Sequence, residues 1–137
     1  VASRGLGDVY KRQSVVDGPA EDGPAFLDGL QQGHRSGLGL GSLLFGARAR
    51  VIRGELPRRD GASWLRGVLI GAELADVLQL WPDALSRPLP LVGAAPVCAL
   101  YARAIEVLGG QAYSIASHDA VTRGFLALHR AALEQPA

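Results

Sequence analysis

The residues best suited to meet a ligand through backbone atoms are Gly93, Ala94 and Ala95, inside the stretch PLVGAAPVCALYARAIEVLGG from Pro90 to Gly110. A turn of small residues that opens a helix exposes unpaired N–H groups and leaves room for a base, a ribose or a phosphate. Parallel strands also end in glycine simply to turn a corner, so spacing alone leaves ligand and turn equally open. Six arginines, Arg48, Arg50, Arg53, Arg58, Arg59 and Arg66, fall within nineteen positions and have the charge for phosphate or nucleic acid. Glu55 and Asp60 interrupt them and no aromatic interleaves, which predicts a solvated, partly salt-bridged face and no nucleic-acid partner. SGLGLGS, from Ser36 to Ser42, has the glycines of a dinucleotide loop without the buried strand that loop requires. The polar QQGHR before it predicts a joint between helices. Glu73 and Asp76 are too few for an acid/base dyad, while Asp17, Asp22 and Asp28 are candidates by residue type only and otherwise surface acids. His118 and His129 lie eleven apart on one helix and His34 belongs to another segment, so no metal site is expected and no catalytic residue is assigned.

The elements that must hold these residues follow from periodicity. Ala25, Phe26, Leu27 and Leu30 give a short amphipathic helix from Asp22 to Gln32, ending before Gly33. Leu43 to Ile52 reads as a helix with an arginine-rich outer face, followed by the loop GELPRRDG. Asp60 is a candidate N-cap for a largely buried helix, apolar from Trp64 to Trp81 and stopped by Pro82. Gly67 and Gly71 share one face of that helix, where two missing side chains let a neighbouring backbone or a flat ligand come close, packing against a sheet being the ordinary reading. Leu89 to Val92 reads as a short buried strand, and Pro96 suits the first turn of a helix whose core stripe is Val97, Leu100, Tyr101, Ala104, Ile105 and Leu108. Gly109 and Gly110 close it, Ala112 to Ile115 forms a second strand, and His118 to Leu133 a last helix with Val121, Phe125, Leu128 and Ala132 on one face. The order βαβα predicts two parallel strands joined by a crossover, a unit whose ligands lie at the carboxyl ends of the strands.

Composition bounds the rest. A chain of 137 residues with 48% hydrophobic content can bury a real core, and its length predicts one domain at most. Arg66, Glu73 and prolines break every apolar run well short of the roughly 20 residues a membrane helix needs, and no membrane partner is expected. Cys98 is the only cysteine, which fits a reducing, cytoplasmic setting. There is no methionine and no signal-peptide pattern, so the chain reads as a piece of a longer protein. Residues 1–13, VASRGLGDVYKRQ, read as a non-native, adapter-like leader. Without them Lys+Arg falls from 14 to 11 and Asp+Glu from 13 to 12, turning net +1 into −1. The only lysine, Lys11, leaves with them, so no P-loop lysine is available.

Four blocks in order, LFGARARVIRGELP, WLRGVLIGAEL, PLVGAAPVCALYARAIEVLGGQAYSI and AVTRGFLALHRAAL, resemble the carboxyl-terminal part of the 2-dehydro-3-deoxygalactonokinases. The resemblance covers Asp22 to Leu133. GVLIGAEL is its most specific block; Phe45 and Arg48 fit a Phe-x-x-Arg position, and Arg66 departs from the small polar residue usual before that glycine. The resemblance implies an α/β fold, the carboxyl-terminal part of an actin-like (ribonuclease-H-like) kinase lobe, mostly helical with a short parallel βαβα unit at the end. By it, residues 14–137 belong to the ATP-binding lobe of a sugar-acid kinase that phosphorylates 2-dehydro-3-deoxy-D-galactonate on its terminal hydroxyl, with ATP and Mg2+. It implies adenosine near Gly93, Ala94 and Ala95, with the helix of Gly67 and Gly71 walling the pocket. The aspartate-glycine-threonine phosphate turn and the Gly-Thr-His-Ser-Lys-Trp segment of such kinases find no match in this sequence, so the chain alone is expected to be inactive and to carry no Mg2+ ligand. A non-catalytic nucleotide-binding module, and a structural or homo-oligomerising domain using the Gly67–Gly71 face, remain as alternatives.

Overall fold

The computed structural model describes residues 20–134; the leader expected over 1–13 lies outside them. The chain divides between Leu80 and Trp81 into two compact units.

The first unit is helical. Pro24, with φ already fixed for a helix, opens α1 (Pro24–Arg35), which runs through Gly33 rather than stopping before it. Leu40 begins α2 (Leu40–Ile52), three residues earlier than expected. Gly54 ends it with φ +74°, the left-handed conformation that lets Gly54 N–H reach Val51 O and Glu55 N–H reach Arg50 O. A 3-10 turn (Arg58–Asp60) leads into α3 (Gly61–Leu80), so Asp60 closes that turn directly before the long helix. Phe26, Leu30, Trp64, Val68, Ile70 and Leu74 are buried, each large side chain contributing roughly 1.5–3 kcal/mol by leaving water. Leu43, Ala47 and Leu56 join Trp64 and Val68 in one cluster. Ser63, also buried, accepts the Glu21 N–H at 2.9 Å.

Glycines set the spacing of α1 and α3. A Cβ on Gly67 would run into Phe26 O and Leu30 N, and one on Gly71 into Leu30 O and His34 N. Reciprocally, Gly29 faces Trp64 O and Val68 N, and Gly33 faces Val68 O and Ala72 N. Two glycines four apart on each helix thus bring backbone against backbone, a closeness that any side chain forbids.

The second unit carries β1 (Leu89–Gly93), α4 (Ala95–Val107), β2 (Ala112–Ala116) and α5 (Ser117–Glu134). The strands pair in parallel, with Leu89 opposite Ala112 and Gly93 opposite Ala116. Cys98, Leu100, Ala104 and Ile105 are the buried stripe of α4, whereas Val97 is exposed and Tyr101 and Leu108 only half-buried. Gly109, at φ +87°, ends α4 as expected: its N–H reaches Glu106 O and the Gly110 N–H reaches Ile105 O. The apolar residues of α5 behave differently from the expectation of a core-facing helix. Val121, Phe125 and Leu128 are exposed, and no residue of α5 is buried among the described residues. The whole is a mostly helical α/β chain with a two-stranded parallel sheet, as the sequence pattern predicted.

Candidate functional site

The register of the two strands defines the site. Gly93 ends β1 opposite Ala116, and β2 passes into α5 without a loop, so Ser117 and His118 stand at the same carboxyl edge as the Gly93–Ala95 turn. Sequence reasoning weighed His118 only as a metal ligand; the signal that links it to Gly93 is the parallel pairing, which spacing along the chain does not reveal.

Gly93 has no structural need to be glycine. Its φ is not positive, and a Cβ there would meet only the Cys98 sulfur, at 3.4 Å, an ordinary contact. Ala94 caps α4 in extended conformation without a side-chain hydrogen bond, and Ala94, Ala95 and Pro96 are exposed. The donors of the first turn are mostly committed. Pro96 has no N–H, while Val97 and Cys98 N–H both bond to Ala94 O at 3.0 Å. Such an edge suits a flat, largely neutral group lying against backbone, such as adenine or ribose, better than a phosphate needing several N–H donors. A concavity of the same unit, about 720 Å3, lies toward the opposite ends of the strands, between Pro88, Arg103, Glu106, Gly110 and Tyr113. Arg103 and Glu106 pair across one helical turn there at 2.8 Å.

Gly67 and Gly71 do admit a neighbouring backbone, as their missing side chains allow, but it is that of a helix and not of a sheet. The approach their missing side chains open is filled by the backbone of α1, so the pair serves a helix contact, neither a sheet contact nor a nucleotide wall nor a face for a second copy. The arginine-rich segment is a paired, solvated face: Arg53 meets Glu55 at 2.6 Å and Arg59 meets Asp60 at 3.8 Å. The Arg53 hydrogen bond holds the Glu55 carboxyl below its ordinary range and raises the arginine in turn. Arg50 departs from this face, half-buried beside Asp28 and Trp64. No three His, Cys, Asp or Glu side chains converge among the described residues. No helix of the described residues is long and apolar enough to cross a membrane.

The model of the 2-keto-3-deoxy-galactonokinase family matches residues 8–128. The chain belongs to that family. Among solved structures, a Sinorhizobium meliloti protein assigned as a 2-dehydro-3-deoxygalactonokinase is similar at 25% identity and a TM-score of 0.71, over 96% of this chain and 44% of that one. The chain therefore spans less than half of that relative's length. Comparison with curated proteins gives no match.

Proposed function

We propose that residues 14–137 form the carboxyl-terminal part of the ATP-binding lobe of a cytoplasmic kinase that phosphorylates 2-dehydro-3-deoxy-D-galactonate to its 6-phosphate, in galactonate catabolism. The observation that supports this within the family is Gly93, whose lack of a side chain is required by neither backbone conformation nor packing and leaves the turn open to a ligand lying on it. ATP supplies the transferable phosphoryl group. The chain's own part is to bind and orient: Gly93, Ala94 and Ala95 give a flat floor for adenosine, and α4 fixes that floor through Cys98, Leu100, Ala104 and Ile105. Holding one end of the nucleotide converts reaction with a sugar hydroxyl from an encounter of two free molecules into one between positioned groups. Magnesium and the phosphates are assigned to segments outside this sequence, which is why the chain alone is expected to bind nucleotide without turnover. A buried, unpaired Cys98 thiol fits the reducing compartment.

The test is an ADP-release assay on the longest natural polypeptide that contains this chain, with 2-dehydro-3-deoxy-D-galactonate and a panel of other sugar acids. Turnover that requires the named acid is the expected result. Nucleotide binding without turnover on any sugar acid would contradict the kinase reading and favour a non-catalytic nucleotide-binding module.

A further inference from the structure

The two edges of the sheet differ in a way that the kinase reading does not use. The Leu89 N–H donates to Gln111 O at 2.9 Å, with Leu89 opposite Ala112. Backbone groups alternate sides along a strand, so Leu89, Leu91 and Gly93 face β2, while Gln111, Tyr113 and Ile115 face β1. Pro90 and Val92 are left on the outer edge of β1, and Ala112, Ser114 and Ala116 on the outer edge of β2. Pro90 has no N–H, so the β1 edge is blunted. The β2 edge keeps every donor, carries only small outward residues, and has no strand beside it among the described residues. Next to its first half lies the concavity of about 720 Å3, walled by Ala99, Ala102 and Arg103 of α4 and by Gly110, Gln111 and Tyr113.

We infer that the β2 edge pairs with the β2 edge of a second copy of this chain, antiparallel about a two-fold axis at Ser114. Among registers that oppose outward residues, this one engages all three: Ser114 meets Ser114 of the second copy, and Ala112 meets its Ala116. Gly93 faces Cys98, so α4 covers the Gly93 side of the sheet, and Tyr113 stands on the other side. There the register sets the exposed Tyr113 against Ile115 of the second copy, a favourable aromatic–β-branched pair. The contact is the same patch on both chains, so it closes at two. It also brings Ser117 and His118 of one copy opposite Gln111 and Gly110 of the other. Because β2 runs into α5 without a loop, the first turn of α5, with exposed Val121, enters the second copy's concavity. Charge suits this seating, since the turn carries Asp119 and the concavity wall Arg103, whose pair with Glu106 is open to solvent. A five-residue edge alone falls short of the roughly 1,200 Å2 of a stable interface, and α5 supplies the apolar remainder.

Sedimentation velocity of the full chain over a concentration series is expected to show a monomer–dimer equilibrium. Ser114→Lys, a change at an exposed position that sets two like charges face to face on the axis, raises the dissociation constant at least tenfold with the melting temperature unchanged. Cysteine pairing tests the register and decides the matter if the lysine variant fails to fold. A hydrogen-bonded antiparallel pair holds its Cα atoms about 5.5 Å apart, within the span of a disulfide. The native Cys98 is buried, so only introduced thiols report. Ser114→Cys is expected to cross-link to itself under mild oxidation, whereas Ala112→Cys and Ala116→Cys cross-link when mixed and not alone. A chain that is monomeric at every concentration, a dimer indifferent to Ser114→Lys, self-linking of Ala112→Cys as fast as that of Ser114→Cys, or assemblies that grow past two chains would each overturn the pairing. So would a monomer that captures a labelled AYSIA peptide, which would give the edge to extended peptides instead.

Discussion

At the scale of single residues, the glycines fall into two classes that the structure separates sharply. Gly29 and Gly67 press on the backbone of the facing helix, while Gly46 faces open space. Alanine is the better helix former by about 1 kcal/mol, so propensity alone would make every substitution stabilising. Gly29→Ala and Gly67→Ala are expected to lose about 2–4 kcal/mol, because the helices must separate along their whole contact, and Gly46→Ala to gain about 0.5–1 kcal/mol. Urea midpoints of the three variants test the contrast, and a stabilising Gly67→Ala would disprove the close crossing. The Arg53–Glu55 pair gives the second expectation. Glu55 is held below its ordinary pKa in the folded state, so its stabilisation is present above the unfolded value and is lost as pH falls through the folded one. Both partners are exposed, so the effect is small. Glu55→Gln is expected to lower the melting temperature slightly near neutral pH and not at all in acid, where wild type and variant should converge; a deficit that persists in acid would show a role other than charge.

At the scale of elements, what local chemistry dictates was legible and what tertiary contact dictates was not. The stop of α4 at Gly109 and its proline-led start both follow from backbone preferences, and both are present. The strands were placed to within one residue because β-branched and aliphatic runs flanked by Gly and Pro are strong local signals, but the first is not the buried strand expected, since Pro90 and Val92 are exposed. Gly33 was misread as a helix stop, since glycine is usually that; here the close contact with Val68 and Ala72 holds it inside α1. The Asp28–Arg50–Trp64 cluster joins residues 22 and 36 positions apart and leaves no trace in any periodic pattern. On α5 the apolar period was read correctly and its burial was not: Phe125 is 70% exposed. An exposed apolar stripe favours association. Phe125→Ser is therefore expected to leave the urea midpoint unchanged within about 0.5 kcal/mol while reducing self-association in sedimentation velocity, and a clear loss of stability would show that the face is packed.

At the scale of the molecule, the two units differ in what holds them. The first has a contiguous core around Phe26, Leu30, Trp64 and Val68, whereas the second rests on one helix stripe and a sheet of two strands, a number that is marginal by itself. Amide hydrogen exchange is expected to show stronger protection in α1 and α3 than in β1 and β2, and the reverse order would contradict this division. The chain covers 44% of its Sinorhizobium meliloti relative, and its place in a kinase depends on whether the carboxyl edge of β1 holds a nucleotide. The decisive measurement is the Michaelis constant for ATP in the longest natural polypeptide, compared between wild type, Gly93→Ala and Gly93→Val, with the sugar-acid constant and melting temperature followed alongside. A methyl at Gly93 meets only the Cys98 sulfur, at 3.4 Å, in a backbone conformation open to any residue, so the alanine variant should fold normally. The ATP constant is predicted to rise from glycine to alanine to valine, by tenfold or more at valine, while the sugar-acid constant and the alanine variant's melting temperature hold steady. An ATP constant unchanged across the series in folded enzyme would show that Gly93 only turns the chain.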